Sequence, residues 1–196
     1  MANTPLQDIF DRYRTDPDIA KKSKTWFNQQ IVLMSRKSIS PNQILRDQMN
    51  RSTQKIIPGR LYMFSYDAKT KETLPYYDQF PLVFPFRKTI TGFVGLNLHY
   101  LPYALRILLL DRLMSFKTNN NMDETTKLKY SWSMIDGMSK FKLAQPCVKQ
   151  YLKGHLRSGL IDVSSKNWTT AMMLPVERFV GASKQSVWSE SIRGTI

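Results

Sequence analysis

The sequence predicts an α+β protein in which a small SH3-like β-barrel or bent sheet, at about residues 59–98, is embedded in helices. Three observations lead to this prediction. Short β-type segments rich in Tyr and Phe follow one another between residues 58 and 101, helical patterns fill most of the remaining chain, and no second clear β unit is present. We therefore predict an N-terminal helical arm at 1–57 and a single α+β domain at 58–196.

The β-type segments are recognised by side-chain alternation and by turn chemistry. Leu61 and Met63 alternate with Tyr62 and Phe64, which is the period of a strand. Residues 67–71 then supply polar turn residues. The three segments that follow are residues 74–77, 80–86 and 92–96.

Prolines and glycines indicate how the last two of these segments are used. Pro81 and Pro85 cannot donate ladder hydrogen bonds, so they predict an edge strand or a bulge. Gly92 and Gly95 predict a kink or the close approach of another backbone. The side chains expected inside the β unit, or directly beneath it, are Phe64, Phe84, Val94, Leu96, Leu109 and Leu113.

The aromatic residues of the β unit allow two interpretations. They could form a platform on which the bases of a single strand stack, or they could fill a small core. A stacking platform normally interleaves cations along its strands, whereas Arg60, Arg87 and Lys88 stand only at strand ends. The pattern therefore favours the core.

Helical patterns precede and follow the β unit. Before it, Ser40, Pro41 and Gln43 form a capping box with the preferred proline at the first helical position. After it, Pro102 marks the start of a helix. The helices predicted in this second part are 103–116, 124–138, 146–156, 167–174, a stretch from Pro175 and 184–192, and Leu160–Val163 is a short strand that could return to the β unit.

The net charge is the strongest compositional signal. The chain has 29 basic and 15 acidic residues, a formal charge of +14 and a pI near 9.9. Such an imbalance favours polyanionic partners, above all nucleic acid, although acidic protein neighbours would satisfy it as well. The resulting candidate DNA-binding residues are Lys140, Lys142, Lys149, Lys153, Arg157, Arg36 and Lys37.

Three of these cations form a pattern of their own. Lys149, Lys153 and Arg157 follow one another at spacings of four, so a helix from Pro146 would place them on one face. Such a stripe would contact phosphates and would have no means of distinguishing bases. The alternative is an ordinary solvated face of a basic helix.

The sequence offers little for catalysis. His99 and His155 have no Cys or His partner at metal-site spacing, and Cys147 is expected to be a small buried hydrophobe. Asp67 and Asp78 stand where carboxylates cap turns. We predict no catalytic residue, no metal, no cofactor, no small-molecule substrate and no membrane-spanning segment, and the single cysteine fits synthesis in a reducing compartment.

Several stretches resemble a known family. They are GRLYMFSYDAK at 59–69, LPYYDQFPL at 74–82, GFVGLNLHYL at 92–101, FKLAQPCVKQYL at 141–152 and WTTAMML followed by PVERF at 168–179. Together they resemble a virion protein family of T4-like tailed phages, whose members are often labelled DNA end-protecting proteins.

The resemblance implies a function. It implies a non-catalytic protein of the virion, made in the cytoplasm of the host cell, that binds the ends of packaged double-stranded DNA without sequence preference and shields them from host exonuclease. Other virion proteins would be its neighbours. The alternative is a structural subunit of the phage tail, neck or baseplate that docks on such neighbours. The candidate site residues rest on charge alone.

Overall fold

The computed structural model describes residues 52–117, 120–165, 168–173 and 176–193. Residues 1–51 of the predicted N-terminal helical arm, with Arg36 and Lys37, lie outside these residues. The last part of that arm, 52–57, is described and contains the short strand Ser52–Thr53 instead of a helix, because this segment pairs with the sheet. In chain order the strands are β1 (Ser52–Thr53), β2 (Leu61–Met63), β3 (Tyr77–Asp78), β4 (Leu82–Lys88), β5 (Gly92–Asn97), β6 (Val148–Leu152), β7 (Leu160–Val163) and β8 (Phe179–Val180). The helices are α1 (Tyr103–Lys117), α2 (Glu124–Met138), α3 (Trp168–Met173) and α4 (Lys184–Arg193).

Six of the strands form one antiparallel sheet in the order β1-β7-β2-β4-β5-β6, and β3 pairs with β8 separately. The predicted return of Leu160–Val163 to the β unit is confirmed, since β7 lies between β1 and β2. The sheet is open, with β1 and β6 at its edges, so the SH3-like barrel is not confirmed. The sheet also extends well beyond residues 59–98 through β6 and β7.

The prolines and glycines act as the sequence predicts. The register between β4 and β5 shifts between Pro85 and Arg87, so β4 contains a bulge although it lies inside the sheet. A Cβ atom at Gly92 would lie 1.8 Å from the carbonyl oxygen of Tyr151 on β6. Glycine therefore allows β6 to approach β5 at this point.

The prediction of a helix at 146–156 is wrong. Residues 142–147 form 3-10 turns, Val148–Leu152 is strand β6, and Lys153–His155 is another 3-10 turn. The edge of β5 provides hydrogen-bond partners for an extended segment, and these tertiary contacts outweigh the helical spacing. Lys149, Lys153 and Arg157 consequently do not share a helical face.

The two faces of the sheet pack into different clusters. Leu61 and Met63 join a large core beneath α1, α2 and α3, whereas Tyr62 and Phe64 point to a smaller aromatic cluster on the other face. All six side chains predicted to be interior are buried. The interpretation of the strand aromatics as core is thus confirmed, with Tyr76 as a half-buried exception.

Replacing Phe64 by Ala should lower the free energy of unfolding by about 3–5 kcal/mol, the usual cost of emptying a buried aromatic site. Phe64 is fully buried, and its ring meets those of Phe93 and Tyr151 edge-on, with centroids 5.8 and 5.2 Å away. A reversible urea melt measures the change. The exposed Ile90, replaced by Ala, is the control, and a Phe64 effect no larger than that of the control would contradict the packing.

The helices predicted at 103–116, 124–138, 167–174 and 184–192 correspond to α1, α2, α3 and α4, with bounds close to those predicted. Asp123 caps α2 by accepting a hydrogen bond from the backbone N–H of Thr126 at 2.8 Å. The stretch expected to be helical from Pro175 is different, because residues 176–178 are irregular and lead into β8. Within the described ranges, no helix is long and apolar enough to cross a membrane.

A fully buried arginine joins α1 to the C-terminal segment. The Arg106 guanidinium donates hydrogen bonds to the backbone carbonyl oxygens of Leu101, Met172 and His99, at 2.8, 3.2 and 3.1 Å. It also pairs with the buried Glu177 carboxylate at 2.8 Å. Burial opposes ionisation of Glu177, but Arg106 and its other neighbours hold the Glu177 pKa below its usual range.

Candidate nucleic-acid interface

Three exposed cations meet at one end of the sheet. Arg87 and Lys88 end β4, and Lys153 follows β6 directly. The backbone N–H of Lys153 donates to the carbonyl oxygen of Thr91, in the turn of the β4–β5 hairpin, at 2.9 Å. Since β5 alone separates β4 from β6, the backbones of these cations lie about 10 Å apart across the sheet. We call Arg87, Lys88 and Lys153 the hairpin-end cluster.

No acidic side chain offsets this cluster within the described part of the chain. The ion pairs found there join other cations to acids, and none involves Arg87, Lys88 or Lys153. Ile90, at the tip of the same hairpin, is 101% exposed. The end of the sheet therefore combines uncompensated positive charge with a projecting apolar side chain.

Of the three cations expected on a single stripe, only Lys153 belongs to the cluster. Arg157 forms an ion pair with Asp67 at 2.9 Å, which offsets its charge. Lys149 is half-buried, and its ammonium lies 4.2 Å from the centre of the Tyr100 ring. Burial lowers the pKa of Lys149. Lys149, Lys153 and Arg157 therefore lie in three different environments, although the sequence pattern placed them on one helical face.

The other two candidates described lie away from the cluster. Lys140 pairs with Asp136 at 2.8 Å on the last turn of α2. Lys142 is exposed in the 3-10 segment that leads into β6, at the opposite end of that strand from Lys153. Arg87 and Lys88 were not among the sequence candidates, although two adjacent cations at the end of a predicted strand were a usable signal.

A pocket of about 430 Å³ lies along the outer edge of β6, between this strand and the segment from Tyr66 to Asp78. Its aromatic lining consists of Tyr66, Tyr76, Tyr77, Tyr100 and Tyr151. Lys69, Lys149 and Gln150 supply polar groups to the wall. The hydroxyl of the half-buried Tyr76 donates to Glu190 Oε2 at 2.7 Å, which ties one wall to α4.

A second cavity, of about 320 Å³, adjoins Lys153 on the other side. Arg157, Gln54 and Ser158 are among the residues that line it. Its lining is predominantly polar and includes two cations, Lys153 and Arg157, of which Arg157 is already paired with Asp67. Lys153 thus lines this polar cavity and also follows the strand that lines the aromatic pocket.

One buried pair has the composition of an acid–base site. His99 Nδ1 and Asp78 Oδ2 are 2.7 Å apart, and both side chains are almost fully buried. The other oxygen of Asp78 accepts hydrogen bonds from the backbone N–H groups of Phe80 and Arg178, so Asp78 caps a turn as the sequence predicts. Without solvent access the pair is suited to holding β3, β5 and the C-terminal segment together.

The remaining features considered for chemistry are structural as well. Cys147 is buried, which raises the pKa of its thiol to about 12 and keeps it protonated. Within the described residues, no group of three or more His, Cys, Asp or Glu side chains could hold a metal ion. The charged end of the sheet is therefore the stronger candidate for a functional site.

The chain was compared with known proteins. The family model of the phage T4 terminal DNA protecting protein matches residues 2–192 of the 196-residue chain. No curated protein and no solved structure matches significantly. The match includes every stretch on which the resemblance to phage end-protecting proteins was based, and that prediction is confirmed. The chain belongs to the phage T4 terminal DNA protecting protein family.

Proposed function

We propose that this protein caps the ends of double-stranded DNA in the virion by holding terminal phosphates with the hairpin-end cluster. The observation on which the proposal depends is the position of Arg87, Lys88 and Lys153 at the same end of the sheet, with no acidic partner among the described residues. Exposed cations that neutralise phosphates release counterions and bind without regard to sequence.

Protection in this proposal is steric and non-catalytic. The cluster occupies the narrow end of the β4–β5 hairpin, and Ile90 projects from its tip, where an apolar side chain can lie against the exposed face of the last base pair. An internal stretch of duplex has no such exposed face. A protein of 22.9 kDa bound there would block an exonuclease from the terminus.

Replacing Arg87, Lys88 and Lys153 together by Gln should weaken binding to linear duplex DNA at least about tenfold at low salt. Three lost phosphate contacts should also lower the slope of log K against log salt by about 2–3. Fluorescence anisotropy over a salt series measures both quantities. Protection of the same duplex against an exonuclease should fall in parallel.

The matched control is the triple change of Arg112, Lys129 and Arg193 to Gln, which removes the same charge from exposed positions elsewhere. It should retain most of the affinity and the full end protection. Equal losses in both variants would mean that net charge, not this cluster, attracts DNA. If the unaltered protein binds circular and linear duplex equally, end capping is contradicted and a structural role in the tail, neck or baseplate becomes the better explanation.

A further inference from the structure

The aromatic pocket beside β6 has the surface that a nucleobase requires. Five tyrosines are among the residues that line it, and its volume of about 430 Å³ lies in the range of pockets that enclose small ligands. Four of the rings are buried, while Tyr76 is only half-buried. Its hydroxyl bond to Glu190 fixes the ring, so a base could stack without first ordering it.

The charges in the pocket favour an anion. Lys149 is half-buried over the Tyr100 ring, and no carboxylate lies within ion-pair distance of it in the described ranges. Lys69 stands exposed at the rim. Holding a cation partly out of water is unfavourable unless a negative group joins it.

Asp78 lines the pocket, but its carboxylate oxygens already have hydrogen-bond partners within the protein. One of its carboxylate oxygens accepts from the Asn97 amide and lies 2.7 Å from His99 Nδ1, and the other accepts from the backbone N–H groups of Phe80 and Arg178. These partners occupy both carboxylate oxygens, so Asp78 presents little repulsion to an incoming phosphate. The lining therefore suits a flat aromatic group that is joined to an anion.

The pocket is also close to the hairpin-end cluster. Lys149 and Leu152, which line the pocket, lie on the same strand that Lys153 follows. Leu152 lies three positions after Lys149 on this strand, a distance of about 10 Å. A DNA terminus held by the cluster would thus have its last nucleotide within reach of the tyrosines.

We infer that this pocket holds the unpaired terminal nucleotide of a DNA strand, with its base against Tyr76 and its phosphate on Lys149. The inference rests on the proposed function, and it specifies how an end is distinguished from an internal stretch. A nucleotide enclosed in this way is the one that an exonuclease must grip first. Its sequestration would add to the steric protection given by the body of the protein.

The test compares two linear duplexes that differ in one group. Both end in a single unpaired nucleotide, which keeps its base in one duplex and is abasic in the other. Base–aromatic stacking should make the duplex with the base bind about tenfold more tightly. Preparing each duplex with the unpaired nucleotide at the 5′ or the 3′ side shows which strand is held.

Two pairs of variants connect the advantage to the pocket. Tyr76→Leu removes the ring and Tyr76→Phe keeps it. The tighter binding of the duplex with the base should therefore disappear in Tyr76→Leu and remain in Tyr76→Phe. Lys149→Met should weaken binding of both duplexes to a similar degree, because the phosphate is present in each. The exposed Lys129→Met is its control and should bind both as the unaltered protein does. If Tyr76→Leu does not fold, the abasic comparison and Lys149→Met still decide the matter.

The outcomes separate the pocket from the proposed function. Equal affinity of the unaltered protein for the two duplexes overturns the pocket assignment and leaves end capping by the cluster intact. Failure of either duplex to bind overturns both. A free deoxynucleoside monophosphate that binds as tightly as the duplex with the base would make this a mononucleotide site and overturn the assignment to a strand end.

Discussion

Replacing Arg106 by Met should lower the free energy of unfolding by about 5 kcal/mol. The change leaves the Glu177 carboxylate buried without its cation, and breaking a buried pair from one side costs about 3–5 kcal/mol. It also removes donors from three backbone carbonyl groups, which further lowers stability. Since small domains are stable by only about 5–15 kcal/mol, the single variant should be partly unfolded at room temperature.

Urea unfolding followed by circular dichroism measures this effect. The informative control is the double variant Arg106→Met with Glu177→Leu, which removes the orphaned charge. It should recover a large part of the lost stability, while the Leu101 and Met172 carbonyl groups remain without the Arg106 donor and that of His99 keeps its bond from Trp188. A double variant as unstable as the single one would show that the carbonyl bonds, not the ion pair, account for the role of Arg106.

Stability should also fall steeply in alkali. Burial raises the pKa values of Tyr100, Tyr103 and Tyr151 well above their ordinary value of 10.0. Above pH 10 the unfolded chain therefore releases protons that the folded protein retains, and stability is lost as the pH rises. Each such tyrosine contributes about 1.4 kcal/mol per pH unit, so the three together give about 4 kcal/mol per unit.

Lys149 has the opposite effect on stability over a limited range of pH. Its pKa is lowered in the folded state, so near pH 10 the unfolded chain binds more protons at this position and the loss of stability is reduced. Denaturant melts at successive pH values, with tyrosinate absorbance as a second signal, measure the slope. Tyr151→Phe should reduce it by about 1.4 kcal/mol per unit. The exposed Tyr130→Phe should not change it, and equal effects of the two variants would contradict the assignment.

The helices were predictable because local signals bound them. Pro102 precedes α1 and indicated its start before any tertiary contact was known, and the Asp123 cap found in the structure is a local feature of the same kind at the start of α2. The buried side of α1 followed from leucine spacing, and Leu109 and Leu113 are indeed buried. Such features depend only on residues that are close together in the sequence, so a local pattern is enough to predict them.

Strand β6 was not predictable for the opposite reason. Val148 and Leu152 are four residues apart, a spacing typical of a helix, and the neighbour that makes them a strand lies some fifty residues earlier on β5. Gly92 did indicate the approach of another backbone. The identity of that backbone depends on long-range pairing, which a local pattern does not specify.

The candidate site was missed for the same physical reason. Arg87 and Lys88 looked like isolated strand-end cations, and Lys153 looked like part of a helical stripe. Only the pairing of β5 with both β4 and β6 joins them. The net charge predicted that basic side chains would bind a polyanionic partner. Sheet topology determines which of these side chains lie at the same end of the sheet.

The late position of β6 in the chain also governs when the protein becomes functional during its synthesis. Strand β5 pairs with β6, which the ribosome makes only after both α1 and α2. Strand β2 pairs with β7, which is made later still. A nascent chain that ends before residue 148 presents two unpaired strand edges and lacks both Lys153 and one wall of the aromatic pocket. Truncated products would therefore be prone to aggregate and would lack part of the proposed DNA-binding surface.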